Sequence, residues 1–149
     1  MYPIILTLHN IIRWIIVILG LVAAGLALYG WFRNNQWSDK NRRIGFFFTT
    51  SIDIQLLLGF LLYFVFSEWG LNAILDKGMS FVMGQGEFRF FAIEHVAFMM
   101  VGFIFAHLGS MLPKKIDNSK GKFKRAAVWY SLALLFILLG IPWSRPIFP

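Results

Sequence analysis

Four apolar runs, at residues 3 to 32, 45 to 67, 88 to 112 and 126 to 143, divide this chain, and charged clusters set their edges. Each is long enough for a helix rising about 1.5 Å per residue to cross a hydrocarbon core of about 30 Å. The expected fold is therefore all-α: a polytopic membrane protein built as one four-helix transmembrane bundle. Punctuation agrees with the run ends: Asn34 and Asn35 follow the first, Gly70 follows the second, Pro113 closes the third and Pro142 ends the fourth. The first run opens Met-Tyr-Pro without a basic leader and outlasts a signal-peptide core, so it is expected to remain in the mature protein. With 58% hydrophobic and 14% charged residues, the chain has too little polar surface for a soluble domain. At 149 residues it is one domain by length, and 17 Phe against 4 Tyr place most rings in lipid or a dry core.

The basic residues give an orientation. Arg33, Lys40, Arg42 and Arg43 lie in the first connection; Lys114, Lys115, Lys120, Lys122, Lys124 and Arg125 lie in the third. By the positive-inside rule these connections face the cytoplasm. The second connection, from Ser67 to Glu87, carries Lys77 against Glu68, Asp76 and Glu87, and the C-terminal tail carries Arg145. Both termini are thus expected on the outer, periplasmic side of a bacterial inner membrane, with the bundle running up-down-up-down. The net charge of +7 reads as a collar for anionic lipid headgroups. Nucleic acid is not an expected partner, because these charges flank spans instead of coating a folded face. Tyr2, Trp69 and Trp143 fit an outer aromatic belt, Trp31, Trp37 and Trp129 an inner one, and Trp14 lies deeper. The Asn-Ser-Lys-Gly-Lys stretch at residues 118 to 122 reads as a solvated turn.

Within this frame two histidines stand at matched depth. His9 and His95 each lie about seven residues, or roughly 10 Å, from the outer edge of the first and third helices. In an up-down-up-down bundle those helices are diagonal, so the two imidazoles can face each other across the core. Cysteine is absent, which excludes disulfides, thiolate-held iron–sulfur clusters and covalent c-type haem while leaving imidazole-held metals open. Two facing imidazoles can hold a haem iron. Met99, Gly102, Ala106 and Gly109 follow His95 at helical spacing, and Arg13, Ile16, Gly20 and Ala24 follow His9. The small residues either leave room beside a flat macrocycle or let helices approach closely.

The remaining ionisable groups inside the spans are Arg13, Glu94, Asp53 and His107. Each costs enough in lipid to require a partner or a water path. Arg13 can reach Glu94 or a haem propionate, although Arg89, nearer the outer surface, is better placed for a propionate. Asp53 and His107 fall at similar depth on neighbouring helices, as a register-fixing pair or as a proton-accepting or quinone-contacting site. Thr49, Thr50, Ser51 and Gln55 add hydrogen-bonding groups nearby. His107 has no histidine opposite at its depth, so a second bis-histidine haem is not expected. The paired Glu-x-x-His pattern of di-iron bundles is missing. Ser and His share no recognisable arrangement, so no nucleophile or hydrolytic base emerges.

The segments Leu8-His9-Asn10-Ile11-Ile12-Arg13-Trp14, Asp53-Ile54-Gln55-Leu56-Leu57-Leu58-Gly59, Glu94-His95 with Met99 and His107, and Gly140-Ile141-Pro142-Trp143 resemble a family of short four-span membrane proteins of Bacteroidetes and related bacteria, described as cytochrome b-like. The resemblance covers nearly the whole chain. It implies a membrane-embedded b-type haem protein or an accessory subunit of a respiratory assembly, with His9 and His95 in the ligand positions. The first expectation is thus an electron-transfer cytochrome with one haem b near the outer side, its site made by His9, His95, Arg13, Arg89, Met99 and Gly102. Its partners would be other respiratory subunits or a second copy of the chain, within the lipid bilayer. The alternatives are a cofactor-free accessory subunit of a larger membrane complex and a small quinone- or proton-handling membrane protein.

Overall fold

The computed structural model describes residues 1–145. Among these residues the chain is helical and has no strand. α1 spans Tyr2–Phe32 and α2 Asp39–Leu61, the latter continuing into a π-helical turn at Leu62–Phe66. Two short helices, α3 (Leu71–Lys77) and α4 (Met79–Gly84), come next. α5 (Gly86–Arg89), a second π turn at Phe90–Glu94 and α6 (His95–Met111) make one continuous rod, and α7 spans Ser119–Gly140. Four helical stretches are long and apolar enough to cross a membrane.

The helices outrun the apolar runs on the basic side. α2 begins at Asp39 rather than 45, and α7 at Ser119 rather than 126. Hydropathy marks the edge of lipid, whereas a helix ends where its hydrogen bonds end, and water does not stop it. Caps decide both starts. Ser38 and Asn41 form a reciprocal capping box on α2, and Asn118 Oδ1 accepts from Gly121 N at 2.7 Å. The stretch at residues 118 to 122 is therefore a cap and a first helical turn rather than only a solvated turn. The long second connection likewise contains α3 and α4, which bury Ala73 and Val82 with Ala92 in a small apolar cluster of their own. Gly78, at φ +83°, turns the chain between them in a conformation that side chains resist.

α7 packs along both α1 and α6, and α2 packs along the same two helices, so α1 and α6 face each other on a diagonal. Without a hydrophobic drive between helices in lipid, close contact between small residues must hold such a bundle. The buried stripe of α1 runs through Arg13, Ile16, Gly20, Ala24, Ala27 and Gly30, while Ile4, Leu8, Ile11, Ile15 and Ile18 point outward. Its counterpart on α7 includes Ala126, Ala127, Ala133 and Gly140. Phe48 of α2 is fully buried against Gly20 and meets Tyr130 of α7 edge-on with ring centres 5.6 Å apart. Tyr130 in turn lies on Gly109 of α6, where an added Cβ would come within 2.5 Å of its ring. Trp37 N donates to Ser119 Oγ at 3.0 Å, tying the α1–α2 connection to the start of α7.

Candidate functional site

The polar groups of α1, α2 and α6 converge on a cavity of about 520 Å³. That volume lies within the range of about 300–1,000 Å³ typical of sites for small ligands and cofactors. Its mouth is framed by Tyr2, Ser67, Trp69, Gly70 and Arg145, and its floor by Ile16, Ile52, Phe103 and Ile137. His9 and His95 stand on its walls with ring centres 6.2 Å apart and planes inclined at 60°.

Local backbone chemistry aims these rings. The π turn at Phe90–Glu94 lies directly before His95, and the π turn at Leu62–Phe66 ends the rod of α2 at the same end of the bundle. Such turns insert an extra residue, rotate the helix beyond them, and recur at functional sites. Tyr63 Oη, from one turn, donates to the carbonyl of Ala92 in the other at 3.1 Å. His95 Nδ1 donates to the carbonyl of Gly140 at 2.7 Å, fixing the tautomer that leaves Nε2 as an electron-pair donor. Gly140 permits this: a Cβ there would meet Met99 Cε at 2.6 Å and Phe98 Cβ at 2.8 Å. His9 Nδ1 is buried without a hydrogen-bond partner, and the ring rests on Gly59 of α2. Gln55 Nε2 donates to the main-chain carbonyl of His9 at 2.9 Å and holds α1 to α2 at that level.

The other expected site residues separate into two groups. Met99 and Arg13 line the cavity, and Arg13 is buried. Arg89 and Gly102 do not line it. Arg89 Nε bonds Glu94 Oε1 at 2.7 Å, five residues along the π turn, whose wider pitch stacks these positions. Glu94 is therefore taken by Arg89, not by Arg13. Gly102 lies against Ile137 of α7, where a Cβ would come within 2.8 Å. The small residues behind His95 thus admit a neighbouring helix rather than a macrocycle. Asp53 and His107 do meet, Nε2 to Oδ1 at 3.2 Å, and His107 lies against Phe103 of the cavity floor with ring centres 4.2 Å apart. His107 itself does not line the cavity.

Sequence reasoning missed Gln55 as a cavity residue, along with Tyr63, Phe103 and Arg145. Gln55 falls on the face of His9 only once α2 is rotated against α1, which no single-helix pattern reports. Arg145 sits at the mouth with its guanidinium 5.3 Å from the ring centres of both Trp69 and Phe91, and it is paired with Glu87.

The donor set limits which metal can fit. Among the described residues no group of three or more His, Cys, Asp or Glu side chains is placed to hold a bare ion, whereas a structural zinc needs four ligands and a catalytic one three. Two imidazoles suit a metal whose remaining ligands come with it, as in axial haem ligation. A metal shared by two imidazole nitrogens at about 2 Å each would set the ring centres roughly 6 Å apart. The residues present thus fit a bis-histidine haem. Comparison of the chain with family profiles, curated proteins and solved structures finds no match.

Proposed function

We propose that the protein is a multi-pass b-type cytochrome that binds one haem between His9 and His95 and transfers electrons within a respiratory chain or complex. The observation that supports this most is the separation of 6.2 Å between two imidazoles on the wall of a largely apolar cavity. When bound, the haem supplies reversible one-electron chemistry at its iron. The chain's own part is to hold, orient and insulate. The Gly140 carbonyl accepts the Nδ1 proton of His95, which makes the opposite nitrogen a stronger ligand. Gln55 locks the α1 backbone at His9, and Met99, Phe91 and Phe103 give the cavity an apolar lining that would exclude water beside a bound haem.

On the same reading the bundle runs up-down-up-down in a bacterial inner membrane, with both termini and the cavity mouth on the periplasmic side. The basic collar between residues 33 and 43 and between 114 and 125 supports that orientation. Both connections lie at the end of the bundle away from His9 and His95.

The test is the visible spectrum of protein purified in detergent after expression with haem supply, recorded oxidised and then dithionite-reduced. A sharp reduced α band is expected, lost in both His9→Ala and His95→Ala while each variant keeps its helical circular dichroism. Purified wild-type protein without that band, before and after haem addition, overturns the reading.

A further inference from the structure

The cavity holds a charge that no carboxylate among the described residues answers. Arg13 is 6% exposed and stands one helical turn, about 6 Å, deeper than His9 on the same face of α1. Its Nε is buried without a hydrogen-bond partner, and no carboxylate among the described residues lies within ion-pair distance of its guanidinium. The guanidinium carbon lies over the ring of Trp14, 5.5 Å from its centre, a cation–π contact that supplies no anionic acceptor. An arginine inside a span is costly even on the mildest insertion scale and needs a partner or a water path. Glu94, which adjoins α6, is held by Arg89. Arg145 at the mouth already has Glu87. Of the two arginines among the described lining residues, the buried one is the one without an anionic partner among those residues. Gln55 Oε1 is another buried atom of the cavity lining without a hydrogen-bond partner, an acceptor suited to a water bound to that anion.

We propose that Arg13 is the seat of an acidic group of the bound ligand, which enters the cavity acid first. This rests on the haem reading and deepens it: a propionate of the haem turns inward past the histidines onto Arg13 instead of outward to the mouth. The guanidinium and carboxylate neutralise each other in a dry setting where charge-assisted hydrogen bonds are strongest. Arg13 thereby selects porphyrins with a free acid and sets their direction of entry.

The experiment titrates apo-protein in detergent with haem b and with haem b dimethyl ester, reading affinity from the absorbance change. Wild-type protein is expected to bind the ester at least tenfold more weakly. In Arg13→Gln that difference disappears, because haem b falls to the level of the ester; in Arg13→Lys part of it returns; in Arg145→Gln it persists in full. Equal wild-type affinities for the two porphyrins overturn the proposal, as does a difference that persists in Arg13→Gln and vanishes in Arg145→Gln, which marks an outward propionate. If Arg13→Gln fails to fold, Arg145→Gln decides the matter: a difference that persists there supports Arg13 as the seat, and one that vanishes there overturns the proposal. Absence of any complex with either porphyrin overturns the haem reading itself, an outcome distinct from equal binding.

Discussion

Arg89 and Glu94 form an ion pair at 2.7 Å across the π turn that precedes His95. The pair removes from the cavity two groups that hydropathy and depth alone would have placed in it, and it takes up the carboxylate that the sequence offers to Arg13. Arg89→Gln is expected to keep the haem affinity and reduced spectrum of the wild type, with a loss of stability under about 1 kcal/mol because both side chains are roughly 40% exposed. Absorbance titration and thermal melting in detergent check this; a weakened haem complex would show that Arg89 reaches the ligand.

Gly140 serves the site by absence of a side chain. Gly140→Val forces a Cβ into Met99 and Phe98, separates α7 from α6 and pulls the carbonyl away from His95. The expected cost is about 1–3 kcal/mol from overpacking, together with a weaker axial ligand. Melting midpoints report the first effect and the position of the reduced α band the second. An unchanged band in a folded variant would dissociate the Gly140 carbonyl from the ligand's electronics.

Two glycines test how the bundle is held. Gly109→Ala drives a methyl group into Tyr130, a ring already backed by Phe48, and is expected to destabilise by about 1–3 kcal/mol. Gly25→Ala meets nothing within 4 Å and is expected to stabilise by up to about 1 kcal/mol through helix propensity. Melts of the two variants side by side should shift in opposite directions. A shared direction would mean that packing between small residues does not govern this bundle.

The pair of Asp53 and His107 joins α2 to α6 at 3.2 Å with both side chains partly exposed. Removing it by His107→Ala is expected to cost about 0.6–1.7 kcal/mol, the range of hydrogen bonds between membrane helices. His107 stacks beneath the cavity floor but does not line the cavity, so the reduced spectrum should survive the substitution. A lost α band would make His107 part of the ligand site.

Much of this architecture is legible in the residue order, for reasons particular to membranes. Four runs such as 88 to 112 announce spans because a lipid-exposed helix must be apolar along its length. The depth of His9 and His95 comes from counting inward along each helix, since the rise per residue is constant. Helix starts are less legible: residues 118 to 122 read as a solvated turn from their composition but form the cap and first turn of a helix, because charge and helicity are compatible outside the lipid. The face of Gly102 was legible, but not what it faces. A small residue admits a helix or a ligand equally well, and Ile137 decides between them.

What the sequence determined by itself is the set of spans, their basic flanks and the matched depths of two histidines, all consequences of one-dimensional spacing along rigid helices. Tertiary structure alone decided who answers whom. Rotation of α2 brought Gln55 to the His9 carbonyl, the π turn gave Glu94 to Arg89, and the end of α7 placed the Gly140 carbonyl on His95. These pairings depend on helix rotation and on a local change of pitch, which residue spacing on a regular helix does not encode. They also leave Arg13 buried with no carboxylate among the described residues at ion-pair distance.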